Sequence, residues 1–446
     1  MTQIINKTFQ IALFLTLIII FQWLGYYYSN TDIYNDVTFT NTAVLIIYFL
    51  TINFLIRYGN SLSKSKLLFV VFAYSLILSL IYVLIYHNYT GDFFDFQRGD
   101  TIAYHNSAIH YKNYSFKDFI LNLLQFNDWD ELGVIIYVRF LYKIIESPLF
   151  VYFSNIILAL FSTSILYKLS RLYLSHKESL VATALFALSS YFIYFHVSLF
   201  KESIFVFLCI TAIYNAQKIV EKNNLKSIFT FIISLGLLSL FRIGTPILIL
   251  GSYLLYNFLR SMKFNLKNII ALILLIPILY YSLFPLFIAT YGKYASVEFL
   301  SYYVNASGYG FSFLNQLLIS IFSALFGPIP SFVALKEHEI SSFYYAGYLI
   351  KYLLTPYFII AAIRIVKYKM LSVYPLLIYY LVGSLVFGIA LRGFDMRFLV
   401  THSFLFYPLV FIGTRDYKIR TKKQHWFLIL SYFVLIVIFF LFNSRF

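Results

Sequence analysis

Long apolar runs recur from one end of the chain to the other, LLFVVFAYSLILSLIYVLIY at 67–86 being among the most apolar. A helix of that length crosses a hydrocarbon layer of roughly 30 Å with its backbone polar groups bonded within itself. The runs are continuous, whereas a membrane β-barrel needs alternating faces. Only 12% of the residues are charged, about half the share of a soluble domain. These features predict an all-α polytopic membrane protein, with 1–446 forming a single integral membrane domain. About 13 transmembrane helices are expected, near 9–28, 41–56, 67–86, 148–167, 179–196, 203–217, 227–241, 244–259, 268–288, 343–363, 371–391, 398–413 and 426–442. The first run lacks a small-residue cleavage site and is read as a retained span. Cys209 is the single cysteine, so disulfides and cysteine-based metal sites are excluded.

The formal charge of +16 would suggest nucleic acid in a soluble chain. Here it sorts by topology. The N-terminus and the connections around 57–66, 168–178, 218–226, 260–267, 364–369 and 415–425 hold 21 of the 34 Lys and Arg. They hold only three acids, Glu178, Glu221 and Asp416. All other segments together are slightly acidic. The basic connections are expected on the cytoplasmic side of the membrane and the acidic ones outside it, and no nucleic-acid partner is implied. Segment 311–335 is apolar enough to be another span, but counting it so would invert the sides of the basic clusters at 364–369 and 415–423. It is therefore expected to be a re-entrant or interfacial piece on the outer side. Gly327-Pro328-Ile329-Pro330 breaks it, because proline removes backbone donors and stops a helix. Such irregular backbone is tolerated only where protein or a water-filled cavity covers it.

On this topology the polar chemistry gathers outside. The loop 87–147 alone holds eight of the 18 acids, and its SFKDFILNLLQF and ELGVIIYVRFLYKII stretches have the spacing of amphipathic helices lying along the interface. At its start stands FQRGDTIAYHNSA (96–108). Gly99 is expected to make a tight turn and Asp100 to open a helix that aligns it with Tyr104 and Tyr111. Asp100 fits a helix N-cap and equally a carboxylate that takes a proton from a bound hydroxyl. HVSLFKESIF (196–205) makes a short outer hairpin whose Lys201 and Glu202 open the next helix at the bilayer edge. In LFRIGTPILIL (240–250), Arg242 sits between two apolar runs, a costly position that usually has a partner or a pathway. Arg392 and Arg397 in LRGFDMRFLVTHSFLFYPL (391–409) crowd another outer turn with Asp395. A guanidinium binds phosphate oxygens in a bidentate manner, so carboxylates facing these cations suit transfer of a sugar from a phosphate leaving group. KEHE (336–339), His105 and His110 lack metal-ligand spacing. No metal site and no cofactor is indicated, and a divalent cation is left open.

The order of these motifs resembles the GT-C superfamily of polytopic glycosyltransferases, in particular bacterial members acting on polyprenyl-linked sugars. GDTIAYHNSA, SLFKESIF, FRIGTPIL, FGPIPS and MRFLVTHSFLFYPL carry the likeness, over roughly 90–410. The resemblance implies Asp100 as the base that activates the acceptor, with Glu202 as a second catalytic acid. It implies Arg242, Arg397 and Arg392 on the lipid phosphate with Lys201 nearby, and Tyr104 and His105 lining the substrate site. Two departures bear on it. Thr101 stands where many members have a second acid, leaving Asp95 or the Asp128–Glu131 group to supply one. Only four residues follow the last run, where many members carry a soluble outer domain, and this favours a lipid-linked glycan as acceptor over a protein. The partners implied are a polyprenyl-linked sugar donor, a lipid-linked glycan acceptor and membrane lipids, as in the repeat-unit polymerases of O-antigen and capsule. The competing readings are a lipid-linked oligosaccharide flippase or transporter, which usually shows internal repeats not found here, and a passive scaffold subunit.

Overall fold

A computed structural model describes residues 33–95, 99–126, 131–222, 224–261, 313–327, 348–389, 396–415, 417 and 422–443. These residues are helical almost throughout, with no strand among them. The first helices are α1 (Ile33–Tyr58) and α2 (Lys64–Thr90), the latter closed by Gly91 at φ +77. Three shorter helices follow, α3 (Gly99–Tyr111), α4 (Phe116–Phe126) and α5 (Leu132–Tyr142). Next come α6 (Pro148–Arg171), α7 (His176–Ala187) and α8 (Ser190–Tyr194). Then follow α9 (Glu202–Glu221), α10 (Leu225–Ser239) and α11 (Gly244–Ser261). The C-terminal part holds α12 (Phe313–Phe326), α13 (Leu349–Leu353), α14 (Thr355–Lys367) and α15 (Tyr374–Ile389). It ends with α16 (Met396–Ser403), α17 (Phe406–Thr414) and α18 (Lys422–Asn443).

Among the described residues, five helical stretches are long and apolar enough to cross a membrane: 64–90, 148–171, 202–221, 371–388 and 397–414. A sixth is the pair α7 and α8, which bends by 52° and so breaks the expected span 179–196. The expected span 343–363 is likewise interrupted, at Leu354 between α13 and α14. That at 398–413 falls within the stretch 397–414, where α16 passes into α17 through a turn at Phe404 and Leu405. The expected spans 9–28 and 268–288 lie outside the described residues. Small residues let the helices approach closely. A Cβ on Gly413 of α17 would fall 2.5 Å from Ala361 Cα of α14, the kind of contact that replaces hydrophobic drive in lipid.

The two poles of the bundle differ in chemistry, as the charge pattern requires. At the basic pole, His176 Nε2 donates to Leu62 O (2.7 Å) while its Nδ1 accepts from Tyr167 Oη (2.7 Å). Tyr173 Oη lies against Gln217 Oε1 and Ser372 O, and Arg364 donates to Gly413 O and Arg415 O. Thus the connections around 57–66, 168–178, 218–226, 364–373 and 415 meet at one end. Glu178, one of their few acids, is held in a capping box with Ser175 at the start of α7, where a carboxylate satisfies orphan N–H groups.

Helix α12 is the described part of the segment 311–335. It packs antiparallel to α15, with Ile321 against Gly388, Ala324 O near His402, and Leu325 O accepting from Tyr380 Oη. It therefore runs from the pole opposite the basic one and stops at Gly327, φ +92, beside Tyr380. That is six residues, or about 9 Å, short of the inner end of α15. The exposed C-terminal carbonyls are covered by protein, as irregular backbone at that depth demands. His402 Nε2 lies 3.0 Å from Ser384 Oγ and 3.4 Å from Ala324 O. Lys351 donates to Ser403 Oγ (3.4 Å) and sets its ammonium over the rings of Tyr348, Phe406 and Tyr380. A cation at a helix C-terminus is favoured by the helix dipole, and ring faces attract it further. Tyr348 packs on Gly327, so α13 and α14 continue to the basic pole from the depth at which α12 ends. Pro328, Pro330 and KEHE lie outside the described residues.

Candidate active site

The described residues of the loop 87–147 form the three short helices α3, α4 and α5 over the pole opposite the basic one. Helix α3 buries Thr101, Tyr104, Ala108 and Tyr111, the i, i+3, i+4 spacing of one face, and leaves Asp100 at its edge. The helix begins at Gly99; the residues leading into it, where the tight turn is expected, lie outside the described residues, and Gly91 makes a left-handed turn earlier in the loop. Asp100 lies inside the first turn, where the dipole favours a carboxylate. Asp95 is fully buried and accepts from Thr101 Oγ1 at 2.6 Å, which fixes the start of α3. Arg139 on α5 donates to Tyr111 O (2.8 Å) and Tyr114 O (2.7 Å) at its far end. Helix α5 is locked to the bundle at Gly133, whose N–H bonds Leu240 O at 2.8 Å. Phe241 packs where a Cβ on Gly133 would be.

That docking brings α3 and α5 over the α10–α11 turn, and the candidate residues meet there. Arg397 Nη1 lies 2.5 Å from Asp100 Oδ2. The carbonyl of the same Arg397 accepts from Arg242 Nη1 at 3.2 Å. Arg242 Nη2 is 3.6 Å from Glu202 Oε1, and its guanidinium stacks 4.0 Å above the ring of Phe398. Phe200 lies under Arg397 at 5.5 Å. The two ion pairs differ sharply in exposure. The Arg242 and Glu202 side chains are 9% and 1% exposed, whereas Arg397 and Asp100 are 29% and 49% exposed.

The hairpin carrying Lys201 and Glu202 is recessed below the start of α6. Asn155, seven residues or about 10 Å into α6, donates to Ser198 O at 3.0 Å, and residues 195–200 are buried. The folded loop 87–147 roofs over the hairpin, a packing relation that the hairpin's own residues do not encode. Lys201 stands at the N-terminus of α9, partly exposed. Tyr104 Oη donates to Glu131 Oε1 at 3.5 Å. Burial, together with Glu131, Asp100 and Glu202, pushes its hydroxyl well above the ordinary phenol value, so it stays a proton donor among three carboxylates. His105 Nδ1 bonds Tyr142 Oη at 2.7 Å, and burial lowers its pKa. Arg392, Asp395, Asp128 and Asp130 lie outside the described residues. No group of three His, Cys, Asp or Glu among the described residues has metal-binding geometry. Of the acids offered in place of Thr101, Glu131 lies by Tyr104 and Asp95 by Thr101. Phe200 and Phe398, the ring faces beneath the arginines, were legible only as neighbours of the charged residues.

The family described as dolichyl-phosphate-mannose-protein mannosyltransferase matches residues 135–281. The match starts inside α5 and takes in Lys201, Glu202 and Arg242. This is a family of the GT-C superfamily. The likeness to GT-C glycosyltransferases holds. It covers about a third of the chain, and Asp100 and Arg397 lie outside it. The GT-C match supports a membrane glycosyltransferase that uses a lipid-linked sugar donor. No curated protein and no solved structure matches the chain.

Proposed function

We propose that the protein transfers a sugar, or polymerises repeat units, from a polyprenyl (di)phosphate-linked donor to a lipid-linked glycan. The reaction belongs to surface polysaccharide assembly of the O-antigen or capsule kind, at the outer face of a bacterial inner membrane. The observation that carries this reading is the meeting of Asp100, Arg397 and Arg242 at one pole, the first two 297 residues apart in sequence. Asp100 is the base. Its carboxylate takes the proton of the acceptor hydroxyl as that oxygen bonds to the anomeric carbon. The bond from that carbon to the phosphate oxygen breaks, and its electron pair leaves on the phosphate. A single displacement of this kind inverts the anomeric centre. Arg397 and Arg242, with Lys201 nearby, hold the phosphate as charge builds on it, the electrostatic stabilisation that most lowers such barriers. Glu202 holds Arg242 at the correct angle, and Tyr104 and His105 shape the roof of the site.

The test has two parts. Purified protein in nanodiscs is assayed for transfer from labelled polyprenyl-linked sugar. Arg242→Ala and Arg397→Ala are expected to weaken donor binding more than Arg242→Lys and Arg397→Lys; equal binding by all four removes the phosphate clamp. In a deletion strain, a single repeat per lipid identifies a polymerase and a missing branch identifies a side-sugar transferase. Accumulation of lipid-linked precursor on the cytoplasmic side would instead identify a flippase.

A further inference from the structure

The contact between Asp100 and Arg397 is the wrong one for a reacting complex. A base must lie on the acceptor side of the anomeric carbon, and a phosphate-binding arginine on the opposite side. At 2.5 Å the two instead neutralise one another. We infer that the Asp100 carboxylate occupies the position on Arg397 that the donor's phosphate takes, so that arrival of the lipid phosphate releases the base. This rests on the reading of Arg397 as a phosphate ligand and adds an order of events to it: donor first, acceptor second.

Three features support an exchange in place of a fixed strut. First, exposure separates the two ion pairs. Arg242 and Glu202 are enclosed, whereas half of the Asp100 side chain is exposed to the outer pole. An exposed pair contributes little and opens readily, while an enclosed one resists separation. Second, both backbones are anchored independently of the pair. Asp95 holds Thr101 beside Asp100, and Arg242 holds the carbonyl of Arg397. Side-chain rotation alone therefore parts the two groups while the site keeps its frame. Third, carboxylate and phosphate compete for the same planar fork of N–H groups. A phosphate brings more negative charge and repels the carboxylate at close range. The displaced Asp100 then lies beside the phosphate-bound sugar, free to accept a proton. Without the donor it stays on Arg397, and an acceptor hydroxyl finds no base.

The experiment measures binding and transfer separately. Farnesyl phosphate is titrated against wild-type protein, Asp100→Asn and Asp100→Ala in nanodiscs, with transfer assayed in parallel. Removal of the competing carboxylate should tighten farnesyl phosphate about two- to fivefold, the worth of an exposed ion pair, while transfer is lost. Unchanged or weaker binding in both variants overturns the exchange, and loss of transfer in those variants still leaves Asp100 as the base. Tighter binding with transfer intact would support the exchange and sink the base assignment instead. A melting temperature equal to wild type certifies each variant, since Asp100 is too exposed for its loss to unfold the chain.

Discussion

At the scale of single residues, burial decides what each charge can do. Glu202 and Arg242 form an enclosed pair, and removing one partner leaves the other uncompensated, at a cost of about 3–5 kcal/mol. Glu202→Ala should therefore lower the melting temperature in detergent by several degrees, and Asp100→Ala should barely move it. Equal shifts would place the two pairs in the same class. His105 makes a prediction in pH. Its pKa is depressed by burial, so the unfolded chain binds more protons than the folded one as pH falls below the ordinary imidazole value of 6.5. Stability contributed by neutral His105 is complete above that value and is lost as pH falls through the lower folded value. Melting temperatures followed from pH 7.5 down to 5 should fall less steeply in His105→Gln than in wild type; parallel curves would assign the acid sensitivity to other groups.

At the scale of elements, the site depends on how α5 docks over the α10–α11 turn. Phe241 ring atoms lie 2.8 Å from where a Cβ on Gly133 would stand. Gly133→Ala should thus cost about 1–3 kcal/mol through overpacking, and should reduce transfer because α5 carries Glu131 towards Tyr104. Gly99→Ala meets nothing within 4 Å and should be neutral or stabilise α3 by up to about 1 kcal/mol. Thermal unfolding of both variants checks the contrast, and a destabilised Gly99→Ala would mean that the start of α3 is tighter than it looks. Helix α12 follows a related logic. Gly327 ends it part-way, and Tyr380, His402 and Lys351 gather at its C-terminus, where four carbonyls have no intrahelical partner.

At the scale of the molecule, opposite poles carry opposite chemistry. Asn60 stands exposed at the basic pole and Asn113 in the acidic roof, while the native Cys209 is buried and should not react. Single cysteines at 60 and 113 should therefore label from opposite sides of a sealed membrane with an impermeant maleimide, position 113 from outside the cell. Labelling of both from one side would refute the two-pole arrangement.

The membrane class, the helices and the division of the connections between two ends follow from sums over short stretches, of apolar length and of Lys plus Arg, and such sums need no neighbour. So does the presence of Asp100, Glu202, Arg242 and Arg397 at one end. Which arginine faces which carboxylate is another matter. Asp100 was read beside Tyr104 and Arg397 beside Asp395, because local spacing offers only local partners. The pairing of Asp100 with Arg397 instead joins distant segments through the docking of α5, and the recess of Lys201 and Glu202 comes from the loop that roofs them. Contacts across the bundle are chosen by packing among helices far apart in the chain, and no periodicity within one helix records them.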